Sequence, residues 1–578
     1  MKKLYILIIC LSTLACSQEL YAQQPLLPKG LTAAESELIS NFTFRSNRRT
    51  APPPAPVRTA AEWEEVEYLV VSWDPSFQNI LRQIVAVGVT ECKVIIATQD
   101  EAGVSAFLNG IDLTNVVFLN VPSNSIWIRD YSGNTVYTND VEERALVDWI
   151  YNRPRPFDNT MPSAHAAQVG VPLYITDSGA NDLVNTGGNF MSDGLGNAFA
   201  SELVLEENAA GNPFGVTAKT EDQVDNIMEN YMGISNYIKM PVLPFDGIHH
   251  IDMHMKLLNE ETLLVSRYPA GVADGPQIEA NIDYVLDNFV SPFGTPYKVE
   301  WIDAPPSEAG NYPDTGGAYR TYSNALIVNK SILVPIYRPE VDAPALALYE
   351  ELMPGYNIVG IDVDDFEEPL IESSGALHCI THTIGVANPL LIVHQPVKAA
   401  PAGSTVTINA TIKHNSGISS ATVLWREKGT VAFTETPMTP ADDNSWTANI
   451  PVDAEGTDVE YYIRAQASSG KVLTRPIVAP QGFWTIKSEV LSAEDWAAKN
   501  ISSPYPNPAT DKVHFNLNQV DGPVHVSITN VLGQHLYNNS VNSGNGTITL
   551  NLDQEWSGTL FITFKGHFGQ ITKKIIKL

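Results

Sequence analysis

Buried strands alternate with helices from about Trp63 to Pro389, and this alternation constrains the possible fold more than any other feature. The continuous apolar run from Tyr68 to Trp73 predicts a buried strand. Further strands are predicted at Lys93 to Ala97 and at Val116 to Leu119. Ser76 can cap an intervening helix, whose apolar residues recur at helical spacing: Ile80, Leu81, Ile84, Val85 and Val87. Such alternation indicates an α/β domain.

The pattern changes near Pro389, where helical periodicity gives way to short alternating strands. These are predicted at Thr405 to Ile408, Ala421 to Trp425 and Val459 to Ile463, with turn residues between them. The length of this block and the central Trp425 suggest an immunoglobulin-like sandwich without a disulfide. Four more short strands follow in a last β domain, at Val513 to Leu517, Val524 to Ile528, Thr547 to Leu550 and Leu560 to Phe564.

The N-terminus is typical of an exported protein. Lys2 and Lys3 precede the apolar stretch Leu4 to Ala15, which is too short for a stable membrane anchor, and Tyr21 to Gln23 offers a cleavage point. The residues before Cys16 faintly resemble a lipoprotein signal, which leaves lipidation open as an alternative. No later stretch is long and apolar enough to span a membrane.

The sequence therefore divides into six parts. The predicted boundaries are a signal peptide (1–23), a polar and then proline-rich flexible leader (24–60), the α/β domain (61–394), the immunoglobulin-like domain (395–487), an acidic linker (488–499) and the last β domain (500–578).

The charge of the chain bears on its partners. With 65 acidic and 35 basic residues, the net charge is −30, which argues against nucleic acid and anionic membranes. An acidic chain favours a cationic substrate, although many secreted proteins are simply acidic.

Two cysteines, Cys92 and Cys379, remain after signal cleavage. Two cysteines give only weak support for a fold that is held together by disulfides. Cys92 precedes a strand and is interpreted as a core residue. Cys379 follows His378 in a segment that begins with Gly375, and a cysteine needs help to become a nucleophilic thiolate. The alternative for Cys379 is a buried core cysteine with histidines beside it by chance.

Four other segments carry candidate functional side chains. Arg129 and Asp130 follow an apolar segment that includes Trp127, and His250 and Asp252 share one face if the chain is extended. The other candidates are Arg153 and Arg155 on a proline-stiffened turn, and Asn324 before an apolar strand.

Each of these segments has a simpler interpretation. Arg129 and Asp130 could form a surface ion pair, and Arg153 and Arg155 could be solvated charges. His250 could be a core histidine, or it could belong to a metal site with His249 and His254.

A glycine-containing turn recurs along the α/β domain. Thr186 to Phe190 is echoed at Thr315 to Tyr319, and Ser374 to Leu377 is a third candidate copy. If repeated β/α units were arranged around a common centre, such turns would all lie at the same end of the central opening.

Taken together, a cysteine, a histidine and two aspartates are the groups needed to attack a cationic carbon. Two carboxylates can bind a guanidinium in fork geometry, and a histidine can protonate departing ammonia and then activate water.

These motifs resemble those of the guanidino-group-modifying enzymes, and most closely the secreted peptidylarginine deiminases of the Porphyromonas type. The similarity runs from about residue 60 to the C-terminus. It rests on six pieces: the segment ending at Asp130, Tyr151 to Pro156, Thr186 to Asn189, His250 to Asp252, Asn324, and Ala376 to Cys379.

The resemblance implies a five-bladed α/β propeller with a central site, followed by the immunoglobulin-like domain. It implies Cys379 as the nucleophile, His250 as the general acid and base, and Asn324 as a supporting residue. Asp130 and Asp252 would hold the guanidinium, while Arg153, Arg155, Trp127 and Ile248 would contact the rest of the substrate. No metal or organic cofactor is implied.

Two departures from the secreted deiminases concern the wall of the pocket. Gly247 stands where they have a tyrosine, and Met253 to Met255 replaces a segment that contains an aromatic residue. The preferred residue next to the substrate arginine is therefore open.

The segment from Ser503 to Ala509, the later Asn530 to Gly533 and the lysine-rich last strand resemble the C-terminal sorting domain of the type IX secretion system. This similarity implies that the secretion machinery is a partner and that the protein is secreted or attached to the cell surface.

The sequence thus predicts a cysteine hydrolase that converts arginine to citrulline in peptides or proteins, with C-terminal arginine preferred. An agmatine deiminase is the first alternative. A non-catalytic surface adhesin is the second, although an adhesin has no need of a nucleophile, an acid and two carboxylates together.

Overall fold

A computed structural model describes residues 27–44, 50–176, 179–442, 444–453, 456–489, 500–517, 523–542, 546–566 and 569–578. The predicted signal peptide and most of the predicted linker 488–499 lie outside these residues. Within these ranges the α-helices are Ala33–Leu38, Gln78–Glu91, Glu101–Phe107, Ile128–Tyr131, Met161–Val169, Leu203–Glu206, Glu221–Met232, Gly275–Asn288 and Pro339–Leu352. None of the helices described here has the length and apolar character needed to cross a membrane.

Five small sheets with a shared plan occupy residues 57–385 of the described chain. In four of them, two strands form a hairpin, and the second strand pairs in parallel with a strand that follows a helix. These four sheets contain Val57–Thr59, Asn134–Thr138, Arg144–Asp148 and Leu173–Ile175; Met191–Ser192, Asn197–Ser201 and Asn236–Met240; Met255–Asn259, Thr262–Arg267 and Lys298–Asp303; and Leu326–Val328, Ser331–Ile336 and Asn357–Asp362.

The fifth sheet is assembled from both ends of this region. His382–Gly385 pairs antiparallel with Val66–Ser72, which in turn runs parallel to Lys93–Ala97, and Val116–Leu119 completes the sheet. The last strand of the region therefore pairs with a strand from near its beginning.

The helix Gln78–Glu91 illustrates how the sequence pattern becomes packing. Its buried face carries Ile80, Leu81, Ile84 and Val85, as the helical spacing predicts. Gly88, rather than Val87, completes this face, because a Cβ at Gly88 would lie 2.6 Å from Cδ2 of Leu69. The predicted cap differs as well: Asp74 accepts a hydrogen bond from the backbone of Ser76 and caps a short 3₁₀ turn before the helix.

A short buried segment precedes the first strand of each of the four hairpins and the strand His382–Gly385 of the fifth sheet, and these segments carry the candidate functional residues. Asp130 comes before Asn134–Thr138, Gly188 before Met191–Ser192, and Asp252 before Met255–Asn259. In the same way, Asn324 precedes Leu326–Val328 and Cys379 precedes His382–Gly385. The repeated architecture thus contributes one residue of the candidate site from each of the five sheets.

Residues 390–489 form two sheets around a common apolar core. Leu391–Val393 pairs with Thr405–Lys413, on the other side of the predicted boundary at residue 394. Trp425 is only partly buried and donates a hydrogen bond to Thr436, while the fully buried Tyr461 lies in the core. The strands are Leu391–Val393, Thr405–Lys413, Thr439–Pro440 and Ser445–Pro451 in one sheet, and Ala399–Pro401, Ile418–Glu427, Thr434–Pro437, Val459–Ala467, Val472–Arg475 and Trp484–Glu489 in the other.

The C-terminal region also consists of two antiparallel sheets with their own core. Phe515 and Phe564 meet at its centre, with ring centroids 4.8 Å apart. Lys512–Leu517 pairs with Gly546–Asn551, and the second sheet contains Pro523–Asn530, His535–Asn542, Gly558–Gly566 and Gly569–Lys577.

The predicted flexible leader contains regular structure. Thr32 and Glu35 form a capping box on the helix Ala33–Leu38, and Val57–Thr59 pairs with Asn134–Thr138. Composition pointed to a flexible segment here, but these residues gain their partners from distant parts of the chain.

Candidate active site

The side chain of Cys379 is fully buried and held by Asn324. Nδ2 of Asn324 lies 3.2 Å from the cysteine Sγ and donates a second hydrogen bond to the carbonyl oxygen of Asp252. Oδ1 of Asn324 accepts hydrogen bonds from the backbone N–H groups of His378 and Cys379. One amide side chain therefore links the backbone and the thiol of Cys379 to the Asp252 segment.

Gly375 permits this placement of Cys379. A Cβ at residue 375 would lie 2.5 Å from the ring of Trp127 and 3.2 Å from Cβ of Cys379. Any side chain there would displace the tryptophan or the cysteine, so the chain needs glycine at this position.

His250 lies between Thr186 and Asp130. Its Nε2 is 3.0 Å from Oγ1 of Thr186, and its Nδ1 is 3.3 Å from Oδ1 of Asp130. The backbone N–H of Gly188 donates to the same carboxylate oxygen of Asp130. A Cβ at Gly188 would lie within 3.2 Å of His250, Asp130 and Asp252, which shows how closely these three side chains converge.

Asp252 belongs to a buried chain of charged groups. Its Oδ2 is 2.8 Å from Nδ1 of His378, and Nε2 of His378 is 2.9 Å from Oε2 of Glu62. Glu62 also pairs with Lys256 at 2.7 Å and accepts a hydrogen bond from the backbone of Ile327. This network fixes the orientation of the Asp252 carboxylate toward Cys379.

Lys29 of the leader occupies the space in front of Cys379. Its Nζ lies 2.8 Å from the cysteine Sγ and 3.7 Å from Oδ1 of Asp252, and its side chain has no solvent exposure. The backbone N–H of Lys29 donates to the carbonyl of Ser373. The site therefore contains a buried cation supplied by the chain itself.

Trp127 and the two predicted arginines hold the backbone of the leader around Lys29. Nε1 of Trp127 donates to the carbonyl of Leu27, and Nε of Arg153 donates to the carbonyl of Lys29. Arg155 donates to the carbonyls of Pro28 and Gly30.

Arg155 and Ile248 complete the contacts with the leader. Arg155 pairs with the buried carboxylate of Glu35, with Nε 2.7 Å from Oε1. Cδ1 of Ile248 lies 3.2 Å from the position of a Cβ on Gly30, so a larger residue there would press against Ile248. All four predicted substrate-contacting residues are thus located around one polypeptide segment.

The electrostatics of the site follow from burial and from the Lys29 cation. Burial alone would raise the pKa values of Asp130 and Asp252, but His250 and Lys29 lower that of Asp130, and Lys29 and His378 lower that of Asp252. Both carboxylates are therefore ionised. Burial lowers the pKa of Lys29, but the charges of Asp252 and Asp130 oppose this effect, and the pKa lies above its usual value.

The thiol and the imidazole are neutral in this arrangement. Burial and the adjacent Asp252 raise the pKa of Cys379 to about 12, and Lys29 opposes them. Burial, reinforced by the charge of Lys29, lowers the pKa of His250. A cation next to the sulfur thus promotes the thiolate, while the surrounding carboxylates oppose it.

Several other predicted features lie elsewhere. Arg129 and Asp130 are both buried rather than forming a surface ion pair, and Arg129 donates to the backbone of His378. His254 pairs with Asp246. No group of three or more histidine, cysteine, aspartate or glutamate side chains in the described ranges is arranged to hold a metal ion.

Only two of the three recurring glycine-containing turns lie at the candidate site. Gly188 and Gly375 lie there, but Gly317 packs against Asn311 and Tyr312. The segment before the corresponding hairpin is Thr321 to Asn324 instead.

Sequence reasoning missed Lys29 and Glu62. Lys29 is the lysine of a polar leader and lies 350 residues from Cys379 in the chain, so no local pattern relates the two. Glu62 lies in an acidic run beside Glu64 and Glu65, where a solvated face is the ordinary interpretation. The one sequence feature that could have drawn attention to Lys29 is that it is the single lysine in the predicted leader.

Comparison with known proteins identifies relatives that are described as deiminases. A protein of Shewanella sp. (strain W3-18-1), described as an agmatine deiminase, is 26% identical over 303 residues, which is 47% of this chain and 76% of the relative. A protein of Yersinia pseudotuberculosis serotype O:1b (strain IP 31758) with the same description is 25% identical over 304 residues, or 47% and 78% of the two chains.

Two solved structures share the fold of the α/β region. A Porphyromonas gingivalis protein described as an arginine deiminase has a TM-score of 0.50 and 21% identity, and the alignment covers 57% of this chain and 99% of that one. An X-ray structure described as an agmatine deiminase has a TM-score of 0.51 and 19% identity, covering 59% and 100%.

Two separate segments of the chain match two different protein families. Residues 503–578 match the secretion system C-terminal sorting domain, which indicates type IX secretion to the cell surface or the medium. Residues 56–384, more than half of the 578-residue chain, match the Porphyromonas-type peptidyl-arginine deiminases. The chain therefore belongs to the Porphyromonas-type peptidyl-arginine deiminase family, a group of hydrolases acting on guanidino C–N bonds.

Proposed function

We propose that the protein converts arginine to citrulline in peptides or proteins, preferentially at a C-terminal arginine, with release of ammonia. The observation that carries this proposal is the position of Lys29. A side-chain cation of a polypeptide lies 2.8 Å from Sγ of Cys379 and 3.7 Å from Asp252, while Arg153 and Arg155 bind the backbone around it.

In the first half of the reaction, Cys379 attacks the guanidinium carbon. Neutral His250 accepts the thiol proton and passes it to the departing nitrogen, which leaves as ammonia because an amide anion is too poor a leaving group. The C–N bond breaks as the C–S bond forms, and the product is a positively charged thiouronium. Asp130 and Asp252, both ionised, hold the guanidinium and stabilise the intermediate.

In the second half, water attacks the thiouronium carbon. His250 takes a proton from this water, the C–S bond breaks, and citrulline leaves while the thiol of Cys379 is restored. The proton on His250 is released to solvent, so atoms and charges balance over the two steps. Asn324 keeps the sulfur in place throughout.

A preference for C-terminal arginine follows from the two cations of the cleft. Arg155 pairs with the buried carboxylate of Glu35, so the cleft has a place for a carboxylate near a bound side-chain cation. The α-carboxylate of a C-terminal arginine can occupy it and form charge-assisted hydrogen bonds with Arg153 and Arg155.

Agmatine deimination is the second candidate, because the Shewanella and Yersinia relatives are described as agmatine deiminases. Agmatine has a guanidinium but no carboxylate. It would leave Arg153 and Arg155 without a negatively charged partner in the cleft, which weakens this candidate.

The domain architecture belongs to the same proposal. Five repeated sheets, each with one residue at the site, support a five-bladed α/β propeller around a central pocket. The two antiparallel sheets over residues 390–489 support an immunoglobulin-like domain.

The test is citrulline detection with four substrates: a peptide ending in arginine, its C-terminal amide, a peptide with internal arginine, and agmatine. The proposal predicts the highest kcat/KM for the free-acid peptide. Agmatine as the best substrate would transfer the assignment to the second candidate, and equal rates on the free acid and the amide would refute the preference.

A further inference from the structure

The leader segment Leu27 to Leu38 binds in the cleft in the manner of a substrate. Its lysine enters the cation pocket, and its backbone carbonyls accept hydrogen bonds from Trp127, Arg153 and Arg155. These contacts join parts of the chain that are far apart in sequence, and they use three of the four residues expected to contact the rest of the substrate.

Lysine matches the shape of arginine in this pocket but lacks its reactive atom. Nζ of lysine is separated from Cα by the same number of bonds as the guanidinium carbon of arginine. The observed 2.8 Å from Nζ to Sγ of Cys379 therefore places that atom near the separation of about 3–3.5 Å that precedes bond formation. An ammonium nitrogen offers no electrophilic carbon, so the cysteine cannot react with Lys29.

Glu35 supplies the second charge by which the leader resembles a substrate. It pairs with Arg155 through two nitrogen–oxygen contacts, at 2.7 and 3.3 Å, while the neighbouring Glu37 is exposed to solvent. The leader thus presents both a cation to the Cys379 pocket and a carboxylate to Arg155, which are the two charges of a C-terminal arginine.

We propose that residues 27–38 are a built-in pseudosubstrate that keeps the enzyme latent until this segment is removed or displaced. This inference rests on the proposed function. Lys29 and Cys379 are both fully buried, so an arginine side chain cannot enter while Lys29 is present.

The attachment of the leader to the enzyme makes this block effective. A tethered segment competes with free substrate at an effective concentration that can reach the millimolar range for short linkers. Its six-residue helix is too short to be stable alone, so it depends on the contacts in the cleft. Loss of Lys29 or of Glu35 should therefore release the segment.

The experiment compares the exported chain with Lys29→Ala and Glu35→Gln, with Glu37→Gln as the matched control on the same helix. The first readout is the rate of Cys379 alkylation by iodoacetamide, followed by peptide mass mapping. The second is kcat/KM for a peptide ending in arginine. Both should rise tenfold or more in Lys29→Ala and should also rise in Glu35→Gln, with no change in Glu37→Gln.

A Lys29→Arg variant tests the mimicry itself. It should place a guanidinium against the thiol and convert residue 29 to citrulline, detected as the mass change of replacing NH by O in the leader peptide. The conversion should be first order and independent of enzyme concentration, and it should not occur when Cys379 is also replaced by serine.

The outcomes separate the two proposals. Unchanged alkylation and kcat/KM in both Lys29→Ala and Glu35→Gln, in an enzyme that produces citrulline, would overturn the pseudosubstrate alone. Absence of citrulline from every variant and substrate would overturn the proposed function, while the alkylation rates would still report whether the leader covers Cys379.

Discussion

The side chain of Asn324 holds Cys379 from two directions: Nδ2 lies 3.2 Å from the cysteine Sγ, and Oδ1 accepts a hydrogen bond from its backbone N–H. Asn324 comes from a different sheet than Cys379 and also bonds to the backbone of Asp252. The position of the sulfur is therefore set by interactions between repeats, and not by the local segment alone.

Replacement of Cys379 by alanine should abolish citrulline formation, with a loss of at least about a thousandfold, because the covalent nucleophile is gone. Circular dichroism should show that the fold is retained. Cys92→Ser is the matched control and should retain activity, because Cys92 is only partly buried at the end of a helix. Substantial turnover by Cys379→Ala would contradict the covalent mechanism.

Replacement of His250 by alanine should eliminate turnover, because the leaving nitrogen then has no proton donor. His249→Ala and His254→Ala should lose much less, since His254 pairs with Asp246 and His249 is not assigned a catalytic role. The measurement is the steady-state rate with a peptide ending in arginine. If His254→Ala were as inactive as His250→Ala, a metal site would be the better explanation, and sensitivity to chelators would decide.

Replacement of Arg153 or Arg155 by alanine should reduce the ratio of kcat/KM for a C-terminal arginine peptide to kcat/KM for its amide by about tenfold or more, the value of one charged hydrogen bond. Because each variant is measured with both substrates, any change in leader occupancy cancels from the ratio. A parallel loss on the free acid and the amide would assign these arginines to another role.

Stability should fall in mild acid because of His165. This histidine is fully buried, neither of its ring nitrogens has a hydrogen-bond partner within the described chain, and burial lowers its pKa from 6.5 to about 3. The unfolded chain therefore binds a proton that the folded chain does not. The contribution of His165 is complete above pH 6.5 and is lost as the pH falls toward 3, at about 1.4 kcal/mol per pH unit.

The check is the free energy of urea unfolding at several pH values between 7.5 and 5. His165→Leu should flatten its decline, while His525→Gln, at an exposed position of the sorting domain, should leave it unchanged. A decline that is as steep in His165→Leu as in the wild type would exclude His165 as its source.

In the Lys29→Ala background, which removes the proposed block, deletion of residues 500–578 should leave an active enzyme in the periplasm, because the sorting domain has its own core and the site lies in the α/β region. The measurement is citrulline-forming activity in periplasmic, surface and medium fractions. Normal appearance of the truncated protein at the surface or in the medium would refute the role of this domain in export.

Local patterns predicted the regular elements well. Lys93–Ala97 and Val116–Leu119 were predicted with their observed bounds, because continuous apolar and β-branched residues leave few alternatives. The predicted cap of the helix Gln78–Glu91 was wrong, because Asp74 caps the 3₁₀ turn before the helix and Ser76 does not cap the helix itself. The family assignment was confirmed, since it rests on short motifs that survive in the linear sequence.

Long-range relationships were not predictable in this way. Nothing near Lys29 signals that it meets Cys379, and nothing near Glu62 signals its contact with His378. The domain boundary at residue 394 remains a prediction; Leu391–Val393 is apolar like the strands before it, but it pairs with Thr405–Lys413 on the other side of that boundary. The roles of His250, Asp130 and Asp252 remain predictions, although their side chains converge as those roles require.

The pairing of His382–Gly385 with Val66–Ser72 has a consequence for biosynthesis. The segment with Cys379 cannot be positioned until nearly the whole α/β region has been translated, and at about 5–20 residues per second this takes tens of seconds. Late in that interval the growing chain contains Asp130 and Asp252 but still lacks Cys379. A nascent or prematurely terminated chain therefore cannot form the covalent intermediate, and the reactive centre comes into existence only when the two ends of the region meet.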